Sequence, residues 1–232
     1  VAATYNTTTD EWKLYINGVL NTTLAAGGNF TPQSASNVNA CIGSTLNTGT
    51  SIRPGFFNGR MDEVRIWNIV RTDAEILANY NSQLISGTGL AGRWGLNEGS
   101  GTSAANSVAG GALGTLARNP LWVTGFNQTD PTTNSSLDFN GTEDYITFGA
   151  APGLNTASGT FTVEAWIKIE GNGIATSTGT GGISGIPIVA KGRSESDAAG
   201  RNVNYFLGIN ASNILVADFE ESGGANHPVT GT

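Results

Sequence analysis

The chain has 232 residues and a formal net charge of −7; 38% of its residues are hydrophobic and only 12% are charged. An acidic chain is repelled by a phosphate backbone, so this balance argues against a nucleic-acid partner. No apolar run approaches the roughly 20 residues of a membrane-spanning helix, and we expect no membrane span. The length fits one large all-β domain with a sizeable core.

The first predicted elements are strands over 1–5 and 10–18, joined by a polar loop. The second has the two-residue period of a half-buried strand. Its apolar positions are Trp12, Leu14 and Ile16. Asn17-Gly18 is a strong signal of a tight turn, so a return strand is predicted from Val19 onwards.

A loop over 25–37 separates this hairpin from a predicted strand over 38–43. Cys41 lies in this strand and is the only cysteine, so the chain has no internal disulfide. Its apolar neighbours favour a buried structural thiol over a reactive one.

Strict alternation over 61–67 predicts another strand, with two sets of side chains on opposite faces. One face holds Asp62, Val64 and Ile66; the other holds Met61, Glu63, Arg65 and Trp67. The period then changes, because Thr72 and Glu75 fit a capping box at a helix start. We expect Ile76, Leu77 and Tyr80 to share one face of a short helix near 72–80.

The rest of the chain reads as strands separated by turn signals, with a mobile Gly/Ser/Thr-rich loop over 171–185. The predicted strands are 90–96, 121–123, 137–139, 145–148, 161–169, 188–191, 203–209 and 214–219. About a dozen strands predict an all-β fold, a two-sheet antiparallel sandwich with one short helix near 72–80.

Several segments resemble LamG-like jelly-roll domains, the concanavalin A-like group that includes laminin G and the pentraxins. The segments are Val1–Tyr5, Trp12–Gly18, Phe57–Trp67, Leu90–Thr102, Leu137–Ile146 and Phe161–Trp166. In this family the motif at 55–80 closes the domain and the motif at 90–102 opens it. The resemblance therefore implies either a circularly permuted domain or one period of a tandem array cut out of register.

We accordingly expect residues 1–85 to be the C-terminal half of such a domain and residues 90–232 the N-terminal half. Residues 86–89, Ser-Gly-Thr-Gly, would be a joint between them. The two halves are expected to form one sandwich, in which the strands of Tyr5 and Phe219 share a core.

The pattern Phe-Asn-Gly-x-x-Asp occurs twice, at 57–62 and 139–144. The resemblance implies a structural calcium near these stretches, with Asp62, the Gly141 carbonyl and Asp144 or Glu98 as ligands. Calcium prefers such oxygen ligands. The alternative is that both stretches are turns whose Asp side chains bind local amides. We expect Asp62 to lie close to the 140–144 turn.

Aromatic side chains are candidates for stacking on a sugar. Trp12, Trp94 and Trp166 lie in strand patterns and are expected in the core. The better candidates for an exposed ligand-binding surface are Trp122, Tyr15 and Tyr205.

No catalytic constellation is evident, and we expect the chain not to be an enzyme. A glycosidase needs two carboxylates that face one cleft. Glu164 and Glu170 could share a face of one strand, but Trp166 and Lys168 lie between them, so solvent-facing positions are the better interpretation. His227 is the only histidine, which argues against a Ser-His-Asp triad or a histidine-rich metal centre.

The resemblance favours a non-catalytic, extracellular or cell-surface module that binds carbohydrate or acts in adhesion. Its partner would be a glycan or another extracellular surface ligand. The alternative is a structural repeat of a large surface adhesin or filament, whose partners are neighbouring copies of the same repeat. A weaker third hypothesis is an accessory domain of a polysaccharide-degrading enzyme. Exposed aromatics with amides on the concave sheet face would favour sugar binding.

Overall fold

The computed structural model describes residues 1–34, 39–45, 55–126, 134–156, 159–192 and 203–232. In these ranges the chain forms β-strands, one α-helix and one 3₁₀ turn at Pro152–Leu154. The strands are β1 Ala2–Asn6, β2 Glu11–Ile16, β3 Val19–Ala25, β4 Ala40–Ile42, β5 Asn58–Trp67, β6 Leu90–Trp94, β7 Ser103–Ala104, β8 Gly114–Ala117, β9 Leu121–Thr124, β10 Ser135–Asn140, β11 Tyr145–Thr147, β12 Phe161–Ile169, β13 Thr176–Ser177, β14 Ser184–Lys191, β15 Tyr205–Ile209, β16 Leu215–Asp218 and β17 Val229–Thr230. The helix α1 is Asp73–Asn79.

The strands form two antiparallel sheets. The first sheet has the order β3-β2-β1-β12-β5-β10-β9, and β6 pairs with the second half of β5. The second sheet has the order β17-β16-β15-β14-β4-β11-β8-β7, and β13 pairs with β14. This is the predicted jelly-roll sandwich with one short helix. No helix in the described ranges is long and apolar enough to cross a membrane.

Local sequence signals explain the first hairpin and the helix start. Asn17 and Gly18 both have positive φ, 52° and 79°, as the two-residue turn between β2 and β3 requires. At the helix, the Thr72 hydroxyl accepts from the Glu75 amide, and the Glu75 carboxylate accepts from the Thr72 amide. Both predictions are confirmed.

The core lies between the two sheets, and both parts of the chain contribute to it. The Tyr5 and Phe219 rings lie 4.4 Å apart, and Trp12 packs edge-on against Phe161 at 5.5 Å. Strand β5 pairs with β12 and β10, while β4 lies between β14 and β11. The segments before and after residues 86–89 therefore share one core, whereas their assignment as permuted halves stays a prediction.

The predicted alternation over 61–67 is wrong, because β5 has an irregularity in its middle. Glu63 has a φ of +48°, and the pairing with β12 shifts between Glu164 and Trp166. Met61 and Val64 consequently both point into the core, three residues apart rather than two or four. From Met61 to Trp67 every side chain of β5 is buried, whichever face of the sheet it lies on.

Helix α1 lies against the first sheet and covers part of its outer face. Ile76 packs against Ala2 and Tyr15 in a small cluster. Ile76 and Tyr80 line one small pocket beside Gly18, as expected of residues on a common face, but Leu77 is 55% exposed and only Ile76 of the helix is buried.

Two other segments differ from the predictions. The expected loop over 171–185 contains β13 and the start of β14, and Thr176 and Thr178 within it are buried. The predicted strand over 38–43 is shorter, with Cys41 buried inside β4 as expected. Val38, its predicted first residue, lies outside the described residues.

Candidate functional site

An open cleft of about 500 Å³ lies at the edge of the first sheet, beside β9 and β10. We call it the β9–β10 cleft. Its lining comprises Arg118, Asn119, Leu121, Asp138, Asn140, Glu143 and Asp144. These residues come from the loop between β8 and β9, from both strands and from the turn between β10 and β11. The cleft thus joins two segments of the sequence, 118–121 and 138–144.

Strand alternation on β10 places the cleft residues. Leu137 and Phe139 point into the core, so Asp138 and Asn140 point to the outer face. Asp138 pairs across the strands with Leu121 on one side and with Arg60 on the other. Leu121 is 54% exposed and provides an apolar edge to an otherwise polar cleft.

Hydrogen bonds fix the turn that forms one wall of the cleft. The Asn140 Oδ1 accepts from the amides of Thr142 and Glu143 at 2.9 and 3.0 Å. The Asp144 carboxylate accepts from the Asn140 amide at 3.1 Å and from the Asn119 amide at 3.0 Å. Asp144 thereby ties the turn to the β8–β9 loop. The second Phe-Asn-Gly-x-x-Asp stretch is thus a turn whose Asp binds local amides.

Asp138 is a charged residue of the cleft whose partial burial is not compensated by a hydrogen bond or an ion pair with a described residue. It is half-buried, and no hydrogen bond or ion pair to it exists among the residues that the structure describes. Its cross-strand neighbour Arg60 instead pairs with Glu170, at 3.1 Å between Nε and Oε1. Burial raises the pKa of Asp138, and the Glu170 charge raises it further, while Arg60 and Lys168 act in the opposite direction.

The structure does not bring the four expected calcium ligands together. The β5–β10 register sets Asn58 opposite Asn140 and Met61 opposite Leu137. Asp62 therefore lies four positions along β5 from the end that carries the 140–144 turn, roughly 13 Å at about 3.3 Å per residue. The expected proximity of Asp62 to that turn is wrong. The two motif copies pair near their Asn residues, and β5 and the 140–144 turn then diverge.

Each of the other proposed ligands has a local role. The buried Asp62 carboxylate accepts from the Glu63 amide at 2.8 Å, and Glu98 accepts from the Ala105 amide at 2.6 Å. Gly141 has a φ of +75° and packs against Asn58. Within the described ranges, no group of three His, Cys, Asp or Glu residues could hold a metal ion. The four residues do not fit one calcium site, and a structural calcium stays a prediction without assigned ligands.

The expected exposure of two tyrosines is wrong. Tyr15 is 1% exposed because α1 covers it, and its hydroxyl donates to Asp73 at 2.8 Å. Tyr205 is fully buried in the core, with its ring 5.8 Å from that of Phe161. Neither ring offers a surface on which a sugar could stack.

The burial of the tryptophans agrees only in part with the expectation. Trp12 and Trp94 are buried in the core, as expected, but Trp166 is only half-buried and donates to the Tyr80 carbonyl. Trp122 is half-buried and donates to the Gly101 carbonyl at 2.9 Å. Its partner across the strands is Leu137, a core residue, so Trp122 faces away from the β9–β10 cleft.

Glu164 belongs to a buried ion network and not to a solvent-facing position. Its carboxylate pairs with Arg65 at 2.8 Å and with Arg71 at 2.7 Å, and it accepts from Trp67 Nε1 at 3.1 Å. Arg71 also donates to Asn79 Oδ1, at the end of α1. The expectation for Glu164 is wrong because the helix covers this part of the sheet. The network holds α1 in place and leaves Glu164 without access to a ligand.

A second cleft, of about 410 Å³, lies where α1 meets β1 and β2, and we call it the α1 cleft. Its charged groups are all paired, Arg71 with Glu164 and the others with one another. Lys13 Nζ lies 3.0 Å from Asp73 and 3.7 Å from Glu11. Asp73 also accepts from the Tyr15 hydroxyl, and these contacts lower its pKa. The α1 cleft therefore offers fewer unpaired charged groups than the β9–β10 cleft, among the described residues.

Sequence reasoning identified Asp144 and the 139–144 motif but missed most of the cleft. Asp138 could have been found, since it alternates with the apolar Leu137 and Phe139. Arg118 and Asn119 carry no such signal, because only the folded sheet brings their loop beside the 140–144 turn.

Comparison with known protein families gives a match over the first third of the chain. Residues 1–77 match the family model of the concanavalin A-like lectin/glucanases superfamily, of the laminin G type. This segment contains the β2–β3 hairpin, β5 and the start of α1. No curated protein and no solved structure matches the chain.

Proposed function

We propose that this LamG-like jelly-roll domain is a non-catalytic, extracellular module that binds carbohydrate or another extracellular surface ligand in the β9–β10 cleft. One observation supports this proposal above the others. Among the described residues, the charged side chains of Arg118, Asp138 and Glu143 in this cleft have no ion pair. The charged side chains of the α1 cleft, in contrast, are all paired. The extracellular location is part of the proposal and rests on the family resemblance.

The cleft has the chemistry that a hydroxyl-rich ligand needs. The carboxylates of Asp138 and Glu143 can accept hydrogen bonds, and the side chains of Arg118 and Asn119 can donate them. Sugar hydroxyls both donate and accept. The exposed Leu121 side chain offers an apolar contact for the C–H face of a sugar ring. A volume of about 500 Å³ is within the usual range of ligand pockets.

The lining contains amides and carboxylates but no aromatic ring among the described residues. Binding would then depend on hydrogen bonds rather than on stacking. The hydrogen bonds of Asn140 and Asp144 fix the wall of the cleft before a ligand arrives. Such preorganisation reduces the entropy that binding would otherwise cost.

A binding role fits the carboxylates better than catalysis does. Hydrolysis of a glycoside needs an acid and a base or nucleophile that both face the scissile bond. Asp144 is occupied by two backbone amides, and Glu164 is enclosed by two arginines. We therefore propose that the cleft retains its ligand without cleaving it.

A second candidate function is that of a structural repeat, and strand β3 favours it. This strand is an edge of the first sheet and has no charged residue over Val19–Ala25. Its Val19, Leu20 and Leu24 side chains are exposed. Uncharged, apolar edges of this kind favour association with another chain. A register shift between β2 and β3 near Asn21 interrupts the edge, which weakens this alternative.

The experiment that tests the proposal is binding to an array of neutral and charged glycans, followed by titration of each hit. Arg118→Ala should weaken binding, since it removes a donor from the β9–β10 cleft. Lys13→Ala removes one cation from the α1 cleft and is the matched control, expected to leave affinity unchanged. The proposal fails if no glycan binds, or if only Lys13→Ala reduces the affinity.

A further inference from the structure

The β9–β10 cleft carries an excess of negative charge. Its lining contains three carboxylates, those of Asp138, Glu143 and Asp144, and one cation, Arg118, which gives a net charge of −2. The whole chain has the same sign, at −7. A low-dielectric concave surface of one sign concentrates ligands of the opposite sign. Acidic sugars, such as uronates and sulfated glycans, are accordingly disfavoured.

Asp138 is the residue of this cleft that is best placed to bind a cation. Its carboxylate is half-buried and has no ion pair within the described ranges, although Arg60 lies directly across the strands. Arg60 is drawn to Glu170, which also binds Lys168 at 2.6 Å. Partial burial of a charge is unfavourable unless a partner compensates it. Because no cation of the protein pairs with Asp138 within the described ranges, a positively charged group of a ligand can pair with it.

The groups around Asp138 define what that cation meets. Arg60 on β5 and Lys168 on β12 lie at the surface of the neighbouring strands, where they share Glu170, and Asp144 lies on the turn beside the cleft. Arg118 and Asn119 are exposed on the β8–β9 loop, which the Asn119 amide ties to Asp144. A cation at Asp138 would thus have hydrogen-bonding groups within the same cleft for neutral neighbours on the ligand.

We propose that the β9–β10 cleft binds a glycan bearing a protonated amine, with the ammonium group paired to Asp138. This inference rests on the proposed carbohydrate-binding function and names its ligand class. An ammonium group brings three donors and a positive charge, which is what Asp138 lacks. The hydroxyls of the same sugar face the open groups of Arg118, Asn119 and Glu143. A basic peptide would satisfy Asp138 equally but would leave the donors of Arg118 and Asn119 with fewer acceptors.

The experiment compares two oligosaccharides of equal length by isothermal titration calorimetry at slightly acidic pH and low salt. One is a glucosamine oligomer with free amines, and the other is the corresponding N-acetylglucosamine oligomer. Since a hydrogen bond to a charged group contributes about one to two powers of ten in affinity, the free-amine oligomer should bind at least about tenfold more tightly. Added salt should reduce this difference.

Two variants assign the effect to a residue. Asp138→Asn should remove most of the preference for the amine while keeping the melting temperature equal or higher, because it removes an uncompensated half-buried charge. Glu11→Gln removes the same charge from the α1 cleft and controls for the net charge of the chain. It should leave the preference intact.

The outcomes separate the two proposals. Equal affinity for both oligomers, or a preference that survives in Asp138→Asn, overturns the amine site but leaves carbohydrate binding standing. Absence of binding by these oligomers and by every neutral glycan overturns both. If an oligolysine of equal charge binds as tightly and displaces the glucosamine oligomer, the assignment to a glycan is wrong.

Discussion

Replacing the buried Glu164 by glutamine should destabilise the fold strongly. The side chain is 3% exposed and neutralises Arg65 and Arg71, which are themselves buried. Glu164→Gln keeps the shape but leaves Arg71 without a carboxylate partner and Arg65 with only the more distant Glu63, whose Oε2 lies 4.0 Å from Arg65 Nη1 and which also pairs with Arg93. Loss of one partner of a buried ion pair costs about 3–5 kcal/mol. In a domain of this size, that lowers the melting temperature by roughly 6–20 °C.

The measurement is urea denaturation followed by tryptophan fluorescence, with the free energy of unfolding extrapolated to water. Glu170→Gln is the matched control, because Glu170 lies just beyond the end of the same strand and its ion pairs with Arg60 and Lys168 are at the surface. Such pairs contribute about 0–1 kcal/mol. If Glu164→Gln costs no more than this control, the buried network does not hold α1 as described.

Three further predictions concern a turn, a buried acid and a metal. Gly18→Ala should lower the free energy of unfolding by about 1–2 kcal/mol because of its positive φ, and by more because its Cβ would lie 2.7 Å from the Tyr80 ring. Gly27 also has a positive φ but faces open space, so Gly27→Ala should show the backbone loss alone. Equal losses in the two variants would exclude the Tyr80 contact. Burial raises the pKa of Asp62 from 3.8 to about 7, so the folded state binds its proton more tightly than the unfolded state. The free energy of unfolding should therefore fall as pH rises from about 4 to about 7. Urea titrations at several pH values should show that Asp62→Asn loses this part of the pH dependence. An unchanged pH dependence in the variant would contradict the assignment to Asp62. If a structural calcium binds the native state only, EGTA should lower the melting temperature, and calcium in excess should restore it; identical melts would exclude a stabilising calcium.

Local signals predicted the elements that depend on neighbouring residues. The capping box at Thr72 and the Asn17-Gly18 turn follow from chemistry within four residues of the chain. The sandwich itself follows from alternation repeated along the sequence. These features are set by short-range sterics and hydrogen bonds, which a single sequence displays directly.

Features that depend on tertiary covering could not be read in this way. Tyr15 and Glu164 occupy outward-facing strand positions, which a period of two marks as exposed. Helix α1 then packs over them and makes them interior. Nothing in the local pattern indicates which part of a sheet a helix will cover.

The register between β5 and β10 separates the residues of the proposed calcium site. The first motif copy lies on β5 and the second begins at the end of the neighbouring β10, so the distance from Asp62 to Asp144 depends on which residues of the two strands pair. Because Asn58 pairs with Asn140, the two aspartates end on different sides of that pair. The irregularity at Glu63 then changes the direction of the side chains that follow. The pattern of a single sequence shows neither which residues of β5 and β10 pair nor that β5 is irregular at Glu63.

The most direct test of the proposed function is a two-dimensional amide NMR titration of the ¹⁵N-labelled protein with a glycan that binds on the array. We expect the shift changes to concentrate in residues 118–121 and 138–144, which contain the lining of the β9–β10 cleft. Arg118→Ala should reduce these changes at equal glycan concentration. Shifts centred on Lys13 and Asp73 in the α1 cleft, or no shifts with any glycan, would contradict the assignment of ligand binding to the β9–β10 cleft.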